Sequence, residues 1–358
     1  MNQRSMKIGI IIGGQSSEHP VSLTSGNCII EAIDTISYEI IPFGINLEGL
    51  WLSVEETTQR LKEFINDERD SLGDDVGSPL LHSHEVLSAL KEMDVIFPII
   101  HGTYGEDGKL QGFLDLVNIP YVGAGVAASA LGMDKGLMRM NFESAGIPQP
   151  KYLIFNTNHP EYLDENITKQ IEKNIGYPCF IKPCNGGSSI GISKVFSRES
   201  LESSWQLAKE YDQKIIVEEV MLGRELECAI IGNDSLLVSG VAEIRTSEEF
   251  YTYNAKYSDS KTDLILPANI KSETLQKIQN YAIDAFQAID CSGLARIDFI
   301  ADEISEPKVI EINTLPGFTP QSMFPRLWEA EGFTYPELIT KLIELALEKH
   351  SSSKRWED

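Results

Sequence analysis

The chain reads as an α/β domain followed by α+β domains. Three observations predict this. Short apolar runs alternate with helical segments over the first third, the pattern of an open parallel sheet. From about residue 124 the pattern changes to short strands around a Gly/Ser-rich turn, then to longer strands flanked by helices. The 358 residues also correspond to two or three domains at roughly 150 residues each.

Each element follows in order. Residues 6–12 are an apolar run and read as a buried first strand, followed by the Gly13-Gly14 turn and a helix over 21–34. Residues 38–45 form a second strand, 94–100 a third, 110–117 a helix and 121–122 a short fourth strand. Residues 53–92 are polar and helix-prone, with an acidic, Gly-containing patch at 70–77, and read as an elaboration of the domain rim. Residues 127–145 are helical. Short strands at 152–155, 180–183, 192–195 and 215–218, with a helix at 200–211, make a small α+β unit. Longer strands at 226–231, 237–244, 294–301 and 308–313 pack beside helices at 272–289 and 335–350.

Composition narrows the function. With 42% hydrophobic and 23% charged residues the chain is an ordinary globular one, which excludes a disordered or collagen-like protein. The net charge of −24 opposes nucleic acid and anionic membrane as partners. No run approaches the ~20 apolar residues of a membrane span, and the N-terminus lacks a signal-peptide pattern. Five cysteines, odd in number and without metal spacing, read as free thiols in a reducing cytoplasm. The histidines form no paired spacing, so a zinc site is not expected.

Five segments carry chemistry. The run Lys182-Pro-Cys-Asn-Gly-Gly-Ser-Ser-Ile-Gly191 can bring backbone N–H groups close to an anion, with Ser188 and Ser189 as hydroxyl donors and Lys182 as a phosphate-binding charge. An ordinary Gly/Ser hairpin turn has the same composition. Glu311 and Asn313, two apart in a strand, share a face; if that strand pairs with the one carrying Arg296 and Asp298, three hard oxygen ligands converge beside a cation. A solvated face with an internal ion pair is the alternative. Around Gly223, Glu218 and Glu225 end and begin strands; a carboxylate there can accept from a ribose hydroxyl, and backbone groups at 219–221 can read an adenine edge. Glu18 follows a glycine turn at the start of a helix, where it either meets a ligand or serves the helix dipole. His101 lies at a strand's C-terminal end beside glycines, the usual ligand position in an open α/β sheet.

The ordered motifs GGQSSEHPVS, HGTYGEDGKLQG, MDK, KPCNGGSSIG, GRELE, YNAKY, ARIDF and EINTLPGFTPQSM together resemble the D-alanine–D-alanine ligase family of ATP-grasp enzymes, from about residue 7 to 347. The resemblance implies a three-domain ATP-grasp architecture: an N-terminal substrate-binding domain (1–123), a central subdomain (124–220) and a C-terminal subdomain (221–350) with a mobile loop at 246–268. It implies ATP as co-substrate, two Mg²⁺ (or Mn²⁺) ions, D-alanine as substrate, a cytoplasmic homodimer, and a role in peptidoglycan precursor synthesis.

By matching position, Lys135 and Lys182 resemble the lysines that contact ATP phosphates, with Ser189, Glu219 and Met221 also on the nucleotide. Glu218 and Glu225 resemble the adenine- and ribose-side acids, and Asp298, Glu311 and Asn313 the metal ligands. Glu18 resembles the acceptor for the first D-alanine's ammonium, with Ser188 and Tyr257 as its hydrogen-bonding partners and His101 nearby. Lys256 and Ser322 resemble contacts to the second D-alanine's carboxylate, with Met323 beside that pocket. Arg296 and the Gly317 N–H resemble the oxyanion stabilisers. The implied chemistry is phosphorylation of one D-alanine carboxylate and attack by the amine of the second.

The sequence departs from the family pattern at Pro20, at Thr252 and Asn254, where acids are common, and at Met323. By resemblance, Tyr257 matches the dipeptide-forming subgroup of the family rather than its depsipeptide-forming relatives, which carry another residue there. D-serine as second substrate differs from D-alanine by one hydroxyl. A catalytically inert nucleotide-binding regulator on the same fold is opposed by the intact Lys182, Arg296, Glu311 and Asn313.

Overall fold

The computed structural model describes residues 5–34, 36–156, 163–187, 190–245, 263–302 and 306–353. Strands β1 (Met6–Gly13), β2 (Tyr38–Ile45) and β3 (Val95–Pro98) form a parallel sheet in the order β2-β1-β3. The apolar run of β1 is explained by cover on both faces: Ile8, Ile10, Ile11 and Ile12 are fully buried. The fourth strand expected at 121–122 is instead an isolated parallel bridge between Ile96 and Tyr121. Pro120 lacks the N–H that would continue a ladder there.

Helix α1 (His19–Ala32) begins earlier than the apolar pattern suggests, because Pro20 is tolerated in a first turn. The rim holds α2 (Val54–Ile65), a short 3₁₀ turn (Leu80–His82) and α3 (His84–Lys91). Ser53 caps α2 by accepting from the Glu56 N–H at 3.2 Å. The acidic patch is not merely a solvated fringe, since Leu72 within it is fully buried. Helix α4 (Lys109–Leu116) closes this region.

Two helices, α5 (Val126–Met133) and α6 (Lys135–Ser144), replace the single one expected over 127–145. Asp134 divides them. Its backbone is extended, and its carboxylate accepts from the Leu137 N–H at 3.0 Å as an N-cap.

Strands β4 (Tyr152–Asn156), β5 (Cys179–Pro183), β6 (Ser193–Val195) and β7 (Lys214–Glu219) make an antiparallel sheet in the order β4-β7-β5-β6. Helices α7 (Glu165–Asn174) and α8 (Leu201–Lys209) pack on it through Ile171 and Trp205.

The third sheet is antiparallel, in the order β10-β9-β8-β11-β12. Its strands are β8 (Arg224–Gly232), β9 (Leu236–Arg245), β10 (Asp263–Ile265), β11 (Gly293–Ala301) and β12 (Lys308–Asn313). Helix α9 (Ser272–Ala288) packs through Ile278, Ala282 and Phe286 against Cys228, Ile230 and Ile297. On the other side, α10 (Met323–Ala330) and α11 (Tyr335–Ser353) join a core that also contains Ile8, Ile10 and Phe97. That shared core locks the first sheet to the third.

The loop expected at 246–268 contains β10, an edge strand paired with β9, so residues 263–265 belong to the sheet. Residues 246–262 lie outside the described residues, as do Ser188, Ser189, Lys256 and Tyr257. All five cysteines are unpaired. No described helix is long and apolar enough to cross a membrane.

Candidate active site

Three regions of the fold meet around a cavity of about 190 Å³. The first sheet's loops contribute Glu18, His101, Gly102 and Glu106. The middle of the chain contributes Lys135, Gly186 and Gly187, and the third sheet Glu227, Arg296, Glu311 and Asn313. Gly317, Ser322 and Met323 complete the wall.

Strand register builds the floor. β11 and β12 pair antiparallel with Asp298 opposite Glu311 and Arg296 opposite Asn313. Directly opposed residues point to the same face, so all four side chains share it. The Arg296 guanidinium forks onto Asp298, Nε to Oδ1 and Nη2 to Oδ2, each at 2.7 Å. Its Nε also lies 3.1 Å from Glu227 Oε1. Burial would lower the basicity of Arg296, but Asp298 and Glu227 hold it well above its ordinary value. Asn313 Nδ2 donates to Asp298 Oδ2 at 3.1 Å and to Glu311 Oε1 at 3.4 Å.

Glu18 is brought in by the turn that opens α1. Ser16 Oγ accepts from its N–H at 3.1 Å. A Cβ on Gly102 would lie 3.4 Å from Glu18 Oε2, and one on Gly187 3.9 Å, so the carboxylate is aimed between those glycines. His101 is buried, with Nδ1 donating to the Leu315 carbonyl at 3.1 Å. That fixes Nε2 as the bare nitrogen, and it has no partner among the described residues. Burial pushes the imidazole below its ordinary value against the pull of Glu18. Glu106 accepts from the Gly102 N–H at 2.7 Å. Burial first, then the Glu18 carboxylate, raises its carboxyl to about 8.

Lys135 starts α6, and its ammonium donates to the Gly186 carbonyl at 2.6 Å, tying the helix to the Gly-rich loop. Lys182 and Glu218 face each other across β5 and β7 at 2.7 Å. Glu218 also accepts from Arg139 Nε at 2.6 Å, while Arg139 Nη1 donates to the Val309 carbonyl at 2.7 Å. Burial alone would raise the Glu218 carboxyl; Arg139 and Lys182 hold it down at about 2. Glu219 accepts from Lys308 Nζ at 2.9 Å, and Met221 Sδ lies 3.5 Å from the same nitrogen. These contacts bridge the second and third sheets. Glu225 lies in β8 opposite Ile244 of β9 and Ile300 of β11. Lys182, Glu218, Glu219, Met221 and Glu225 are not among the residues lining the 190 Å³ cavity.

Ser322 is the N-cap position of α10, and its hydroxyl accepts from the Thr319 N–H at 3.2 Å. A Cβ on Gly317 would lie 3.1 Å from Ser322 Oγ, so the two line the cavity side by side.

The donor set suits a hard divalent cation. Asp298, Glu311 and the Asn313 amide are the residues that would hold such an ion; here Arg296 takes both Asp298 oxygens and the Asn313 Nδ2 faces the two carboxylates. Among the residues lining the cavity, Glu18, Glu106, Glu227 and Glu311 outnumber Lys135 and Arg296. Glu106, raised to about 8 partly by Glu18 and Glu311, reports the same negative excess.

Three of these groups carry no role in the motif reading: Arg139, Glu227 and Glu106. Arg139 had a signal, since Lys135, Met138, Arg139 and Phe142 fall at helical spacing on one face. Glu227 had a weaker one, an acid in an otherwise apolar strand run two residues after Glu225. Its position opposite Asp298 follows only from the β8–β11 register.

Comparison with known proteins bears on this site. Family models described as D-ala D-ala ligase N-terminus and D-ala D-ala ligase C-terminus match residues 7–124 and 141–344. A D-alanine–D-alanine ligase of Halothermothrix orenii is 45% identical, covering 96% of this chain and 98% of its own. The crystal structure of the VanG D-Ala:D-Ser ligase from Enterococcus faecalis aligns with a TM-score of 0.82 at 35% identity, over 96% of this chain and 100% of that one. A Bacillus anthracis D-alanine–D-alanine ligase complexed with ATP aligns at 0.76 with 26% identity, over 98% and 100%. With both family models matched along the chain and full-length relatives at this identity, the chain belongs to the D-alanine–D-alanine ligase family.

Proposed function

We propose that the protein joins two D-alanines to D-alanyl-D-alanine, converting ATP to ADP and phosphate through an acyl phosphate. The observation that carries this reading is the register of Arg296, Asp298, Glu311 and Asn313 on one strand pair, with Arg296, Glu311 and Asn313 lining a cavity walled by Glu18 and Lys135 and Asp298 buried behind Arg296. We read residues 1–123 as the substrate-binding domain, and 124–220 and 221–350 as the two halves that hold ATP.

Glu18 takes the ammonium of the first D-alanine between Gly102 and Gly187, near His101, with Ser188 and Tyr257 proposed by matching position as its hydrogen-bonding partners. Lys135, Lys182 and Ser189 bind phosphate oxygens; residues 219–221 read the adenine edge, and Glu218 and Glu225 serve the adenine and ribose sides. Two Mg²⁺ (or Mn²⁺) ions, held by Asp298, Glu311 and Asn313, would supply charge neutralisation on the phosphates.

A carboxylate oxygen of the first D-alanine attacks the γ-phosphorus, and the bond to ADP breaks. The second D-alanine is oriented by Lys256 and Ser322 on its carboxylate, with Met323 against its methyl. Its free amine attacks the acyl carbon, and Arg296 with the Gly317 N–H stabilises the oxyanion. Phosphate leaves with the C–O bond electrons and takes up the proton that the attacking nitrogen gives up as the amide forms. The acyl phosphate hydrolyses readily, so the reaction requires a site that excludes water.

The test is ADP release, which should require ATP, Mg²⁺ and D-alanine together. No release at millimolar D-alanine would refute the reading. The likeness to a D-Ala:D-Ser ligase favours D-serine as the second reading at the second site.

A further inference from the structure

The acidic rim patch has an inward side. Leu72, within it, is fully buried and packs where Cβ atoms on Gly13 and Gly44 would lie, at 3.1 and 2.9 Å from its Cδ1. Both of its backbone groups are claimed. Its N–H donates to His19 Nε2 at 3.2 Å, and its carbonyl accepts from Arg60 Nη1 at 2.6 Å. Arg60 is itself buried and forks onto Asp75 at 2.7 and 3.1 Å.

His19 is completely buried, and its other nitrogen, Nδ1, lies 2.8 Å from the Gly14 carbonyl. A carbonyl only accepts, so Nδ1 carries the hydrogen and Nε2 is the acceptor for Leu72. Burial pushes the imidazole below its ordinary value, against the pull of the Gly14 carbonyl, Asp74 and Asp70. The ring therefore spans from the rim to the glycine turn, and the residue before it is Glu18.

We propose that His19 is a positioning residue: it clasps Leu72 of the rim segment to the Gly14 turn and so holds Glu18 at the mouth of the cavity. The rim is then a brace for substrate binding, anchored at Leu72 from both sides by His19 and Arg60. This rests on Glu18 receiving the first D-alanine's ammonium. Nothing in the clasp touches the phosphate or metal side of the site, so its effect belongs in KM for D-alanine more than in kcat.

The test uses two half-isosteres in the full chain. His19→Asn retains a donor for Gly14 but cannot reach Leu72; His19→Gln reaches Leu72 with its amide oxygen. His19→Asn should raise KM for D-alanine about tenfold, with kcat changed less than about threefold. Hydrogen exchange at the Leu72 amide should quicken about tenfold in the same variant. His19→Gln keeps the Leu72 end but loses the donor to Gly14, so it should restore the protection while KM stays raised, because the clasp needs both ends. Arg60→Met, which frees the Leu72 carbonyl, should move KM in the same direction, and it decides the matter if His19→Asn does not fold.

KM within twofold of the parent in His19→Asn overturns the proposal. So does a parental KM in His19→Gln, in which the Gly14 end of the clasp is broken. Failure of the ligase reading would show in the parent protein itself, as no D-alanine-dependent ADP release, whereas failure of the clasp shows only in the variants.

Discussion

Replacing Arg139 by methionine removes one partner of a buried ion pair and keeps the apolar volume. The Arg139 and Glu218 side chains are 1% and 3% exposed, with Nε and Oε1 at 2.6 Å. Removing one member of such a pair costs about 3–5 kcal/mol. Lys182 remains 2.7 Å from Glu218, which places the cost at the lower end, about 3 kcal/mol. The direction agrees: Arg139, together with Lys182, holds the buried Glu218 carboxyl down at about 2. The sign follows from the lowered value. The stabilisation is fully present above 4.5 and is lost as pH falls towards about 2. Urea unfolding at pH 7 and at pH 3.5 measures it, followed by the fluorescence of Trp205 in the core of the same sheet. The gap between parent and Arg139→Met should be about 3 kcal/mol at pH 7 and smaller at pH 3.5. A gap below about 1 kcal/mol at pH 7, or one that widens in acid, would refute the reasoning.

Other perturbations follow from the same geometry. Glu311→Gln should lower turnover about a hundredfold or more while shifting Tm by only a few degrees, because a hard ligand goes and the β11–β12 packing stays; retained turnover would show that Glu311 is not a metal ligand. Gly105→Ala would place a Cβ 2.0 Å from the Ile100 carbonyl oxygen, beside His101, so soluble yield and activity should both fall; a parental Tm would count against so close an approach of the two backbones. Burial raises Cys179 to about 11 and Cys184 and Cys228 to about 12. At pH 8 their thiolate fraction is then about one in a thousand or less. A thiol reagent should therefore leave these three unmodified in the native protein and label them on unfolding.

Much of the site was legible because it depends on strand parity and on which residue types share a turn. Glu311 and Asn313 had to share a face, and the observed pairing with Arg296 and Asp298 supplied the one fact parity could not, namely which strands are neighbours. Elements set by local chemistry were harder. Asp134 splits a run that looks continuously helical, because an N-cap two residues from Gly132 ends one helix and starts another. Helix α10 carries Pro325, which hides a short helix whose first turn tolerates it. The rim was read by its acidic average, and that average conceals the single buried Leu72. Arg139, Glu227 and Glu106 owe their significance to contacts across elements, and local spacing marks no more than the face Arg139 shares with Lys135 and the acid in an apolar strand at Glu227.

The most direct measurement is the mass of the product made from ATP, Mg²⁺ and a mixture of D-alanine, D-serine and D-lactate. The account predicts D-alanyl-D-alanine as the main product, formed one for one with ADP. A mixed dipeptide ending in D-serine, a depsipeptide, or ADP formed without any dipeptide would contradict it.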